Sequence, residues 1–464
     1  MNLQKLLSEV LDEITPKPEE RAELMSLSQT FIERARRAAE ELTKDFDVLL
    51  LGSLAKDTAL SRDVDIDVFV LLPKDLSKEE LHRLGLEIGR RTFYDQTPIE
   101  RYADHPYLEV DIDGVKVSVV PAYRVEPTEW RSPVDRTYYH VEYVKGHLGE
   151  EQKGEVRLLK KFMKGVGTYG SEVRVKGFSG YLCELLTLYY GTFLNLLKAV
   201  EGWRPPIVLD LEDQYEGDIE TITKVFRKNP LVVIDPVDKS RNVAAALSNR
   251  SLARFTSAAR WFLREPSRDF FFPPPLKFNV ESELRRRGDL LMITFQHGKM
   301  VEDTLYPQLE RLAKKIGVKL GENGFKLLKT GIYSDFESSS CLLIELEAKT
   351  LPRRFFHLGP PPFNLENEEA FIRKNLRRGF SVWISDEGRW VALRERDVVE
   401  ADELIRRIID EGVVIPRGIR GPVTDTAKIL DVEQIAEELR LNPEVRRYLE
   451  DFLGRSEFWI EDHP

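Results

Sequence analysis

The run Val64-Asp65-Ile66-Asp67-Val68-Phe69-Val70-Leu71-Leu72 constrains the fold more than any other stretch of this chain. β-Branched and aromatic side chains fit a pleated strand better than a helix. Strand alternation then sets Asp65 and Asp67 on one face, with Val64, Ile66 and Val68 on the other. Just upstream, Val48–Leu51 reads as a second strand, ending at Gly52-Ser53 where the chain should turn into a helix. Glycine permits close backbone approach there. The serine hydroxyl and the first N–H groups of a helix make an anion site, to which Lys56, one turn on, adds a point charge. Two carboxylates side by side repel unless they share a cation, and octahedral Mg²⁺ suits such oxygen ligands.

Around this motif the N-terminal stretch reads as mixed α/β. Helical spacing covers Leu3–Leu11, Arg21–Leu42 and Leu81–Arg91, and Tyr107–Ile112 and Val115–Val120 flank the turn pair Asp113-Gly114 as a hairpin. A two-residue turn fixes the register: Ile112 faces Val115, Asp111 faces Lys116, Val110 faces Val117 and Glu109 faces Ser118. From Glu150 to about Leu263 the texture is helical. There Ser179 caps YLCELLTLYYGTFLNLL, apolar on nearly all sides and so an interior helix. Proline-rich breaks at 272–275 and 360–362 bound a strand (Leu290–Phe295), a helix (Leu305–Ile316) and a strand (Ser340–Glu347), a small αβ sandwich. Basic and aromatic residues follow to about Arg420, and then a helical stretch.

Length and composition agree with several domains. At ~150 residues each, 464 residues hold about three. An apolar content of 42% excludes a disordered chain. Cys183 and Cys341 alone exclude a disulfide scaffold and fit a reducing compartment. The segment MNLQKLLSEVLDEITPKPEER lacks the apolar core of a signal peptide, and no later run approaches the ~18 apolar residues of a membrane span. A soluble, cytoplasmic protein is the expectation. The formal charge of −10, from 79 acidic and 69 basic residues, argues mildly against nucleic acid as a ligand, although local patches decide phosphate binding.

A phosphate cradle followed by Asp-x-Asp resembles the nucleotidyltransferases of the DNA polymerase β superfamily. Further segments narrow the resemblance: RSPVDRTYYHVEYV (131–144), EVRLLKKFMKGVGTYGSEV (155–173), GFSGYLCELL (177–186), DPVDKSRNVAAALS (235–248) and DTLYPQLERLAKKI (303–316). In order, and over nearly the whole chain, they are similar to the archaeal-type, class I CCA-adding tRNA nucleotidyltransferases. The resemblance implies an α+β multidomain fold: a polymerase-β-like head (1–147), a helical neck (148–264), a ferredoxin-like body (265–360, completed by 423–464) and an αβ tail (361–422). It implies addition of C, C and A to the tRNA 3′ end from CTP and ATP, two Mg²⁺ ions on Asp65 and Asp67, and a homodimer. Gly52, Ser53, Lys56, His140, Lys160 and Tyr169 match nucleotide-contacting positions. Arg241, with Asp235-Pro236, lies in the motif that reads the base. Without the resemblance, His140 reads as structural, and Lys160 as part of an exposed helical face.

One departure from the family stands out. The third metal carboxylate lies in a pattern like V-x-V-D-V-V-P, whereas this chain reads Val115-Lys116-Val117-Ser118-Val119-Val120-Pro121. A serine hydroxyl is a poor Mg²⁺ ligand and brings no negative charge. Three accounts stay open: a variant active site, a tRNA-acceptor binding protein with weakened or lost catalysis, or a substitute carboxylate. Glu109, facing Ser118, is the candidate substitute, with a solvated strand residue as the plain alternative; Lys116 neutralises Asp111. A poly(A) or oligoadenylate polymerase is the rival within the enzyme class. For the tRNA acceptor stem and T-arm, the candidate surfaces are RRFFH (353–357), RKNLRRGFSVW (373–383) and PRGIRG (416–421), since duplex recognition without a sequence code needs phosphate neutralisation and a shape gauge.

Overall fold

The protein is described from a computed structural model, over residues 3–102, 105–275, 279–363, 365–454 and 457–460. These form two compact units: the residues up to 275 together with 457–460, and those between 279 and 454. The chain is mixed α+β throughout.

The first unit opens with α1 (Leu3–Ile14) and α2 (Pro18–Glu40), then β1 (Asp47–Leu51), the single turn α3 (Gly52–Ala55), β2 (Asp65–Pro73) and α4 (Lys78–Thr92). A meander follows: β3 (Ile99–Tyr102), β4 (Pro106–Ile112) and β5 (Val115–Arg124). The five strands form one sheet in the order β1-β2-β5-β4-β3, with β2 and β5 parallel and the other pairs antiparallel. Alternation buries Ile66, Val68, Val117 and Val119 under α2 and α4. The opposite face is divided. Phe69, Leu71 and Val120 pack with Val141 of α5 (Thr137–His147), and the remainder carries polar side chains.

Next come α6 (Glu150–Gly165), α7 (Gly180–Tyr190), α8 (Phe193–Val200), β6 (Ile207–Asp210), α9 (Ile219–Val225), β7 (Leu231–Asp235), β8 (Asp238–Asn242) and α10 (Asn249–Arg264). Phe162, Phe193, Phe255 and Phe262 centre a core shared by α1, α6, α7, α8 and α10. Two features differ from the reading of the sequence. The apolar run after Ser179 is two helices, because Gly191 takes φ +82° and Thr192 starts α8 as its N-cap. The region expected to be helical also holds the sheet β6-β7-β8, whose middle strand Leu231–Asp235 is buried on both faces. Such a strand shows no alternation and passes for helix in the sequence.

In the second unit, strands 327–334, 339–346, 290–296 and 428–430 lie in that order, all antiparallel, with the helix Glu302–Glu322 in their core. A separate three-stranded sheet pairs Arg354–Leu358 and Ser381–Ile384 with Trp390–Glu395. Ala401–Glu411 packs into the core of the four-stranded sheet. The C-terminal segment also departs from expectation. Residues 457–460 join the first unit, where Trp459 stacks on Phe270 and Glu457 pairs with Arg254 at 2.7 Å. No helix among the described residues is long and apolar enough to cross a membrane.

Candidate active site

The carboxylate face is set by strand register. Leu51, Asp67, Ser118, Glu109 and Ile99 form one row across β1-β2-β5-β4-β3, and Asp65, Lys116 and Asp111 form the next. The hairpin register read from Asp113-Gly114 is thus the observed one. Gly52, at φ +74°, brings the β1–α3 turn so close that a Cβ there would lie 2.0 Å from Asp67 Oδ2. Loss of surrounding water, and then the charge of Asp65, push the Asp67 carboxyl up to about 6. Asp65 is raised for the same first reason, with Lys116 opposing. The buried Ser118 sits next to Asp67, while the Glu109 carboxylate is paired with Arg101 at 3.2 Å.

Asp65 and Asp67 present neighbouring carboxylates on one face of the sheet. Their oxygen donors fit a divalent cation such as Mg²⁺. Among the described residues, no three His, Cys, Asp or Glu side chains converge as a metal-binding group, so the fit rests on the pair alone.

Beside this face lies a buried cationic cluster. Lys56 Nζ donates to Glu184 Oε2 at 2.5 Å, and Thr58 Oγ1 donates to Glu184 Oε1 at 2.6 Å. Lys160 Nζ donates to Glu184 Oε1, Thr58 Oγ1 and the Thr58 carbonyl at 3.0–3.1 Å, so it lies in the interior and not on an exposed helical face. Burial alone would raise the Glu184 carboxyl, but Lys56 and Lys160 hold it down at about 2. Burial pulls the Lys160 ammonium downward, with Glu184 opposing. Tyr169 reaches the same corner: a Cβ at Gly180 would stand 3.0 Å from its hydroxyl and 3.7 Å from Lys160 Nζ. The positive charge of Lys56 also bears on Asp67, which links this cluster to the carboxylate face.

A second buried carboxylate gathers the base-reading candidates. Asp235 accepts from Arg241 at 2.6 Å and from the Tyr181 hydroxyl at 3.1 Å, and it meets His140 Nε2 at 2.9 Å. His140 stacks on Tyr181 with centroids 4.1 Å apart. Burial lowers the His140 imidazole, and the Asp235 hydrogen bond opposes this. The Asp235 carboxyl is depressed because His140 and Arg241 outweigh its burial.

The structure therefore brings Lys56, Lys160 and Tyr169 together, and His140 and Arg241 together. Tyr181 joins the two groups, since its ring also lies 5.9 Å from Lys56 Nζ. Sequence reasoning missed Thr58, Tyr181 and Glu184. The signal for Glu184 was present: one carboxylate inside a helix apolar on nearly all sides must find a buried cation. In the second unit, Arg373 pairs with Glu369 at 2.9 Å, and Arg353 and Arg354 share Glu395. On the small sheet there, Phe356 meets Trp383 edge-on at 5.8 Å, and both are exposed.

Comparison with known proteins matches three family models: a nucleotidyltransferase domain over residues 32–140, the second domain of tRNA nucleotidyltransferase over 154–272, and the C-terminal domain of CCA-adding enzyme over 286–429. A CCA-adding enzyme of Methanopyrus kandleri is 37% identical over 98% of this chain and 97% of its own length. That of Methanothermobacter thermautotrophicus is 37% identical over 90% and 93%, and that of Methanocaldococcus jannaschii 35% identical over 96% and 99%. A solved structure of an RNA terminal uridylyl transferase, Cid1, covers 60% of this chain at 17% identity with a TM-score of 0.47, too loose a likeness to build on.

Proposed function

The chain belongs to the CCA-adding enzyme family and is a nucleotidyltransferase, and from that membership we propose that it adds C, C and A to the 3′ end of tRNA from CTP and ATP. The observation that carries this reading is the pairing of full-length kinship with Asp65 and Asp67 on one face beside the Gly52 turn. In this reading Asp65 and Asp67 hold two Mg²⁺ ions. Bound there, the metal supplies Lewis-acid charge at the α-phosphate and lowers the pKa of the attacking 3′-hydroxyl. Ser53, Lys56, Lys160 and Tyr169 bind and orient the triphosphate. His140 and Arg241, fixed by Asp235, present donors to the base, and an arginine fork suits both the cytosine edge and a neighbouring phosphate. The basic segments of the second unit take the tRNA acceptor and T-arm.

Ser118 beside Asp67 favours a second reading, a tRNA-acceptor binding protein whose catalysis is weakened or lost. Incubation with tRNA lacking its CCA end and labelled CTP or ATP separates the two. Ordered addition of two C and one A supports the first reading. Tight tRNA binding without incorporation supports the second, and long adenylate tails overturn both in favour of a poly(A) polymerase.

A further inference from the structure

We propose that Glu184 is a positioning residue for the triphosphate: without touching substrate, it sets where the Lys56 ammonium meets the phosphates and where the fixed charge of Lys160 stands beside them. The inference rests on the triphosphate reading above.

Glu184 is fully buried, Lys160 is 2% exposed and Lys56 is 9% exposed, so the carboxylate lies behind the cations. One buried carboxylate with two buried lysines gives the cluster itself a net positive charge. Desolvated cations held in fixed places are what an incoming polyanion requires, because their field needs no rearrangement on binding. Glu184 provides that fixity. It takes one ammonium on each oxygen, and Thr58 Oγ1 orients it from the turn that follows α3.

The sequence distances show what is being tied. Thr58 and Lys56 lie 126 and 128 residues from Glu184, whereas Lys160 lies 24 residues away, on α6. Glu184 therefore registers the Gly52–Thr58 turn of one sheet against two helices of another core. Lys160 uses three donor contacts, to Glu184 and twice to Thr58, the full complement of an ammonium. Lys56 is held through Glu184, and its charge also bears on Asp67 and His140. Moving Glu184 would shift both ammonium groups relative to the carboxylate face.

The test uses the full chain with Glu184→Gln, Glu184→Asp and Thr58→Val. Binding is measured for inorganic tripolyphosphate, CTP and ATP, beside melting temperature and steady-state kinetics. Glu184→Gln is expected to weaken all three ligands by a common factor of about tenfold or more, the scale of a charge-assisted contact. KM for CTP and ATP should rise together while kcat at saturating nucleotide stays within about threefold, the signature of weakened uniform binding. Glu184→Asp, which keeps the charge, should recover part of the loss. If Glu184→Gln does not fold, the nearly isosteric Thr58→Val carries the test, with an expected loss of about threefold from one neutral hydrogen bond. A folded Glu184→Gln that binds tripolyphosphate as tightly as the parent, or more tightly, overturns the inference, as does unchanged binding by Thr58→Val where it stands alone. A parent protein that binds neither tripolyphosphate nor CTP overturns the triphosphate reading itself.

Discussion

Gly52 and Asp67 are packed so that one excludes any side chain on the other: the missing Cβ of residue 52 would sit 2.0 Å from Asp67 Oδ2. The φ of +74° at Gly52 adds a conformational cost of roughly 1–2 kcal/mol for any other residue. Gly52→Ala is therefore expected to displace the Asp67 carboxylate and cut nucleotide addition by on the order of a hundredfold, the scale of a disturbed electrostatic contact to the reacting group. Gly114 is the control. It has φ +87° but nothing within 4 Å of its would-be Cβ, so Gly114→Ala should cost stability and leave the rate nearly unchanged. Equal rate losses in both variants would remove the special status of the turn.

Asp65→Ala and Asp67→Ala should each abolish nucleotide addition while tRNA affinity stays nearly constant, because phosphate contacts elsewhere supply most of that binding. Primer-extension and filter-binding assays on the same preparations check this. An active variant of either kind refutes the assignment.

The raised Asp67 carboxyl also has a stability signature. Its value of about 6 in the fold lies above the usual 3.8, so ionisation penalises the native state as pH climbs through that window. Without metal, Asp67→Asn should raise the stability at pH 7.5 by up to about 3 kcal/mol, with the gain vanishing below about pH 4. Added Mg²⁺ should raise the melting temperature of the parent and not of the variant. A variant that melts below the parent at neutral pH would show that the Asp67 carboxylate is stabilising as it stands.

At Ser118 two outcomes oppose each other. If the site lacks a third carboxylate, Ser118→Asp should increase CTP and ATP addition substantially, by on the order of tenfold or more, with CTP binding changed much less. If Glu109 leaves Arg101 to serve instead, Glu109→Gln should be the inactivating change and Ser118→Asp should add little. Rates for both single variants and the double decide. An active parent indifferent to both changes would mean that this row needs no third carboxylate.

In the second unit, neutralising Arg373, Arg377 and Arg378 should weaken tRNA binding and flatten its dependence on salt, by about one released ion for every phosphate that is no longer neutralised. Arg373 already spends its charge on Glu369, so it should contribute least of the three. A salt slope identical to that of the parent would assign this run to an ordinary solvated surface.

Legibility in the sequence followed the range of each interaction. The alternation that puts Asp65 and Asp67 together, and the Asp113-Gly114 turn that sets Glu109 against Ser118, are local and could be read directly. The Lys56–Glu184 and His140–Asp235 pairs join residues 128 and 95 positions apart, and no local pattern encodes such meetings. The break at Gly191 was hidden by apolar residues on both sides, and β7 by burial on both faces. Proline breaks mark where a chain turns, not which core it enters next.

The return of residues 457–460 to the first unit changes how that unit can be made. Trp459, Phe458 and Glu457 fill places against Phe270 and Arg254, so a core begun by α1 is closed by residues translated hundreds of codons later. During synthesis the place against Phe270 stays empty until residues 457–460 have been made, after the whole second unit. In the sequence the second unit is thus an insertion between two segments of the first.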